Sequence, residues 1–185
     1  MMPADANSKT ARVFFALWPD ADMRIALDRL SGKMHALCGG RRTRANAMHI
    51  TLAFLGEVPE ARLAGLQTVA AQVRCGGCDI ALTHLGWWPH SRIAWVAPAV
   101  TPQALSGLVH ELQTLLETAG FHFDERAYFP HVTLLRHADC RQPPAEMAAL
   151  SWAARDFVLV KSVLTEHGPV YDVIGRWQLA AGSCT

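Results

Sequence analysis

Two tetrapeptides, HITL beginning at His49 and HVTL beginning at His131, each follow an apolar strand-like segment and a helix-like segment. From Phe15 to His49 is 34 positions and from Ile93 to His131 is 38. A strand, a helix and a second strand fit each interval, so the chain reads as a duplication. Two copies of this length are too few for a stacked array, and they predict two lobes related by a pseudo-two-fold axis around one shared cleft. On an extended strand alternate side chains share a face. His49 and Thr51 are expected on one side and Ile50, Leu52 and Phe54 on the other, with His131 and Thr133 likewise opposite Val132 and Leu134.

The remaining elements follow from period and punctuation. Residues 13–17 (VFFAL) predict a buried strand ended by Pro19. Met23, Leu27, Leu30, Met34 and Leu37 predict an amphipathic helix with Asp20 and Asp22 near its start and Gly39 and Gly40 beyond its end. A strand at 49–55 is expected to close at Gly56, and Pro59 to open a helix carrying Leu63, Leu66, Val69 and Val73 as far as the Gly76–Gly77 pair. Strands are predicted at 80–85 and 92–97. A third helix follows, with Thr101 as N-cap, Pro102 at its first position, Leu105, Leu108, Leu112 and Leu115 on one face and His110 off it, and Gly120 past its end. Strands at 131–135, 157–165 and 171–179 complete the set, with a loop near Pro143 and Pro144 and only turns between the last elements.

Composition narrows the class. Of 185 residues, 51% are hydrophobic and 18% charged, enough for a core and too apolar for a disordered chain. One two-lobed domain is expected over 11–185, after a flexible tail at 1–10. Seventeen Lys+Arg against sixteen Asp+Glu leave a net charge of +1, which excludes the whole-surface basic footprint of a non-specific duplex binder. The apolar run at 13–18 is too short for a membrane span and no signal peptide is apparent, so a cytoplasmic protein without membrane contact is expected. Five cysteines, an odd number without framework spacing, read as reduced thiols. Cys75 and Cys78 form a lone CGGC with no second pair, and no redox or metal role is expected of them.

An imidazole beside a hydroxyl, presented twice to one cleft, suits hydrolysis of a phosphodiester. One neutral histidine takes a proton from water while a protonated one supplies the departing oxygen. Each threonine can donate to a non-bridging phosphate oxygen as charge builds there. This chemistry calls for no metal and no cofactor. His35, His84, His90, His110, His122, His137 and His167 share no spacing and read as surface or structural residues, with His137 close to the second motif.

The segments VFFALWP, MHITLAFLGEVP and YFPHVTLLR, and more weakly SVLTEHGPVYDVIGRWQL, resemble the two-histidine phosphoesterases, among them the bacterial RNA 2′,3′-cyclic phosphodiesterases also called 2′-5′ RNA ligases. The resemblance implies an α+β bilobal fold in which two antiparallel sheets line a central cleft with helices outside, and His49, Thr51, His131 and Thr133 at its base. It further implies His49 as general acid toward the ribose O3′, His131 as general base for water, and a 2′-phosphate product; spacing alone leaves that assignment open. Arg136 would contact the phosphate, although strict alternation puts it opposite His131, so a strand end, twist or bulge must intervene. The expected partner is RNA, or an oligonucleotide, with a 2′,3′-cyclic phosphate end, bound by a monomer, with 2′-5′ ligation as a possible reverse reaction.

Arg41, Arg42 and Arg44, just before the first motif, can meet RNA phosphates or form a solvated loop. Phe15, Trp87, Trp88, Tyr128 and Phe129 can stack a terminal base or pack the core. Two rival functions remain: hydrolysis of a small cyclic nucleotide, separable by relative turnover of mononucleotides and oligonucleotides, and an RNA-end-binding module, whose signature is binding without product.

Overall fold

Val13, Phe15 and Leu17 are fully buried on β1 (Thr10–Leu17), which begins at the last residue of the expected tail. A computed structural model describes residues 9–140, 144, 147–166 and 168–180. After β1 come α1 (Ala21–Cys38), β2 (Arg41–Arg42), β3 (Ile50–Pro59), α2 (Leu63–Ala70), β4 (Cys78–Trp88), β5 (Ile93–Pro98), α3 (Gln103–Thr118), β6 (Val132–Arg136), β7 (Leu150–Ala154), β8 (Asp156–Thr165) and β9 (Gly168–Gln178). Short 3-10 turns lie at Ala45–Ala47 and Glu60–Arg62.

Every pairing between these strands is antiparallel, in the order β7-β4-β5-β6-β3-β1-β8-β9, with β2 added to β6. Between β6 and β3 the ladder is a single pair, Ile50 with Val132. The expected two antiparallel sheets are therefore two four-stranded halves joined at the strands that carry the two motifs. The units β1-α1-β3 and β5-α3-β6 correspond, as the duplication requires. Each helix crosses over: α1 packs on β6, and α3 packs on β3. Met23, Leu27, Met34, and Leu105, Leu108 and Leu112 form the buried helix faces, and Ser31 of α1 donates a hydrogen bond to the Leu134 carbonyl at 3.1 Å.

Several boundaries differ from the sequence reading. The α1 stripe continues from Met34 to Cys38, while Leu37 is 66% exposed. Gly56 lies inside β3 at positive φ, and Pro59 ends that strand opposite Thr10 instead of opening a helix, because a missing N–H is tolerated at the end of a ladder. The following helix stops at Ala70, short of Val73. Pro102 occupies the α3 cap with ψ 139°, so the helix starts one residue later than expected, and it has no side-chain cap. Leu116, not Leu115, completes the buried α3 face. β7 replaces the expected turns, burying Trp152 and Ala154 on alternate positions. Of the expected loop near the two prolines, Pro143 lies outside the described residues, as does His167.

The cysteines correct another expectation. Cys38 at the end of α1 is disulfide-bonded to Cys140 beyond β6, 102 residues away in sequence. Cys75 is also in a disulfide, so the described cysteines are not all reduced thiols. Cys78 is free and buried, and burial pushes its thiol up to about 11. The CGGC pair is thus divided, one sulfur bonded and the other inert.

Candidate active site

β3 and β6 meet where each carries its motif. Continuing the antiparallel register one residue either side of the Ile50–Val132 pair sets His49 across from Thr133 and Thr51 across from His131. All four line a cleft of about 660 Å³. The pseudo-two-fold thus gives each imidazole a hydroxyl from the opposite half.

Both histidines are held in the same way. His49 Nδ1 lies 2.8 Å from the Ala47 carbonyl, and His131 Nδ1 lies 2.9 Å from the Phe129 carbonyl, two residues back in each case. A carbonyl only accepts, so Nδ1 carries the proton and Nε2 is the nitrogen left for a substrate. Rings fix the planes. His49 stacks on Phe14 at 4.8 Å and Trp18 at 5.2 Å, and meets Tyr171 edge-on at 5.4 Å. His131 meets Trp88 edge-on at 4.7 Å and stacks on Phe129 at 5.8 Å.

Burial sets the basicity. Desolvation among the rings lowers His49 to about 4, with His131 and Arg136 adding to the depression against the opposing Ala47 carbonyl. His131 is also lowered, first by burial and then by Arg136, with the Phe129 carbonyl opposing. Burial raises the Tyr171 hydroxyl, while Arg136 and Arg12 act the other way.

Strict alternation fails at the same place in both motifs. On β3 the partners of Phe15 and Ala16 are Ala53 and Thr51, so Leu52 is bulged. On β6 the partners of Ala94 and Trp95 are Leu135 and Thr133, so Leu134 is bulged. The extra residue shifts parity and brings position five after each histidine onto the cleft face. In one half that residue is Arg136, which therefore joins His131 and Thr133 in the cleft. In the other it is Phe54, expected opposite His49 and found on its side, with the Arg12 guanidinium 4.9 Å from its ring centroid.

Phe15 does not belong to the site. It is fully buried against Phe157 and Trp177, because β1 turns Phe14 to the cleft and Phe15 to the core. Arg42 and Arg44 line the cleft, Arg42 tied to Asp28 through Nη2 at 2.6 Å. Of the other aromatics, Trp88 and Phe129 contact His131, while Trp87 donates to the Ala138 carbonyl. Sequence reasoning missed Phe14, Trp18, Phe54, Tyr171 and Arg12. Apolar residues follow each threonine, Leu52-Ala53 and Leu134-Leu135, but a regular buried strand reads the same way, so the sequence marks neither bulge. Nothing in the sequence places Tyr171 beside His49. No helix among the described residues is long and apolar enough to cross a membrane.

A family model described as LigT like phosphoesterase matches residues 17–95. The chain is 30% identical over 173 residues to the RNA 2′,3′-cyclic phosphodiesterase of Escherichia coli K12, covering 93% of this chain and 98% of that protein. It is 28% identical over 183 residues to the Thermus thermophilus protein of the same name, covering 91% and 90%. The crystal structure of E. coli LigT complexed with 3′-AMP superposes with a TM-score of 0.83 at 30% identity, over 92% of this chain and 99% of that one. With the paired histidines, the crossed threonines and the whole-length match, the chain belongs to the LigT-like phosphoesterases, the family of the RNA 2′,3′-cyclic phosphodiesterases.

Proposed function

We propose that the protein opens the 2′,3′-cyclic phosphate at the end of an RNA or oligonucleotide, leaving a 2′-phosphomonoester. The observation that carries this reading is the pair of imidazoles, each tied through Nδ1 to a carbonyl and each free at Nε2 in one cleft. His131 takes a proton from water as the water oxygen bonds to phosphorus. The bond from phosphorus to O3′ breaks, and protonated His49 gives its proton to O3′. Thr51, Thr133 and Arg136 meet the non-bridging oxygens, two by hydrogen bonds and one by charge. His131 ends protonated and His49 neutral, and exchange with solvent restores the start. A 5′-hydroxyl in the place of water leaves a 2′-5′ linkage, which is ligation by the same bond exchange.

Both histidines come from one chain, so a monomer is a complete catalyst. The test is incubation with an oligonucleotide ending in a 2′,3′-cyclic phosphate, with the product resolved. A 2′-phosphate end is expected. A 3′-phosphate would reverse which oxygen leaves, and binding without product would make the protein an RNA-end-binding module.

A further inference from the structure

Near its tip the β8–β9 hairpin turns one face to the cleft. Ser162 pairs with Tyr171 and Leu164 with Pro169, and all four line the cavity. Leu164 is 69% exposed, a large apolar side chain left open at the mouth. Across from it runs the β2 segment of the other half, where Arg41, Arg42 and Arg44 line the same cavity. The Arg41 guanidinium reaches the hairpin, since a Cβ on Gly168 would lie 3.4 Å from its Nη1. One wall of the mouth is thus apolar and the other cationic.

Opening a cyclic phosphate uses neither wall, because His49, Thr51, His131, Thr133 and Arg136 already meet the reacting atoms. The two walls do match the two faces of a single strand, whose bases pack on apolar or aromatic surface and whose phosphates seek guanidinium groups. A cyclic-phosphate end continues into its chain through the ribose 5′-oxygen, so an oligonucleotide substrate needs a path out of the catalytic floor. We propose that the mouth is the path of the RNA strand 5′ of the cyclic phosphate, with Leu164 and Pro169 against the bases and Arg41, Arg42 and Arg44 against the backbone. The proposal rests on the cyclic phosphodiesterase reading and adds to it the residues that hold the strand beyond the reacting end.

The experiment compares kcat/KM for adenosine 2′,3′-cyclic phosphate and for an oligoadenylate with the same end. The wild type should favour the oligonucleotide. Leu164→Asp should lower kcat/KM about tenfold on the oligonucleotide and leave the mononucleotide within about twofold, as loss of one base contact requires; Leu164→Ser should do the same more mildly. Anisotropy of a labelled oligoadenylate ending in a 3′-phosphate reads binding without turnover. Over a salt series the slope of log affinity should fall by about one in Arg44→Ala. Equal loss on both substrates in L164D, or oligonucleotide binding indifferent to both substitutions, would overturn the path. If the wild type opens neither cyclic phosphate while binding still responds to L164D and R44A, the cyclic phosphodiesterase reading fails and the strand path stands.

Discussion

The aromatic rings around His49 bear on protonation before any substrate arrives. A base whose folded pKa is lowered binds protons more weakly folded than unfolded, so stability falls as pH drops below the unfolded value of 6.5 and the loss is complete near 4. For His49 this amounts to about 3 kcal/mol. Denaturant unfolding between pH 7 and 4 should show that decline, and His49→Gln should flatten it; an unchanged slope would assign the decline to other groups. Both imidazoles are depressed, so the singly protonated site, which the mechanism needs, forms on the acid side of 6.5. An anionic phosphate raises both. Plots of kcat/KM should therefore be bell-shaped with a maximum below pH 6.5, and plots of kcat displaced to higher pH; coincident profiles would contradict the desolvation account. His49→Ala and His131→Ala should each cost about 10²–10⁴-fold in rate, and Thr51→Ala and Thr133→Ala less. A substrate whose leaving group needs no protonation should rescue His49→Ala and not His131→Ala. Rescue of His131→Ala instead would exchange acid and base.

At the scale of elements, β2 governs how Arg136 is presented, because Arg41 pairs directly with Arg136 on β6. Gly40, at φ 80°, enters that pairing, and a Cβ there would lie 2.7 Å from the Arg136 carbonyl oxygen and 2.8 Å from the Ala138 nitrogen. Gly40→Ala should lose at least about 1 kcal/mol of stability through conformation alone and raise KM as β2 and the end of β6 part; a variant with unchanged melting and KM would show that β2 does not hold Arg136. Elements of this kind divide what a sequence reveals from what it conceals. The two motifs, three helices and most strands follow from local period, since an amphipathic face is written in its own residues. β7 was missed because LSWAA is short and its alternation rests on Leu150, Trp152 and Ala154 alone. Phe54 was placed on the wrong face because alternation assumes an unbroken ladder, and the bulge at Leu52 is visible only with its partner strand. Arg136 was placed correctly only on condition of such a bulge. Phe15 and Phe14 are adjacent, and which of them faces the cleft depends on the packing of Phe157 and Trp177 from the far end of the chain.

For the whole molecule, the Cys38–Cys140 bond closes a loop of 102 residues and ties the end of α1 to the segment beyond β6. A loop of that length restricts the unfolded chain enough to contribute about 2–5 kcal/mol. Cys38→Ser with Cys140→Ser should lower the melting temperature without reductant, and by less than full reduction does, because reduction also breaks the disulfide at Cys75; unchanged melting in the double variant would remove the bond from the account. The order of strands also has a temporal meaning. β4, β5, β6 and β7 make a contiguous stretch of chain, whereas β1 pairs with β8, and β8 with β9, at the opposite end. During synthesis the half containing β4 to β7 has all its strands while the other still waits for its last two. β1 is made well before β8, its second neighbour, so VFFAL stays open along one edge through most of that interval and is an apolar stretch for a chaperone to cover.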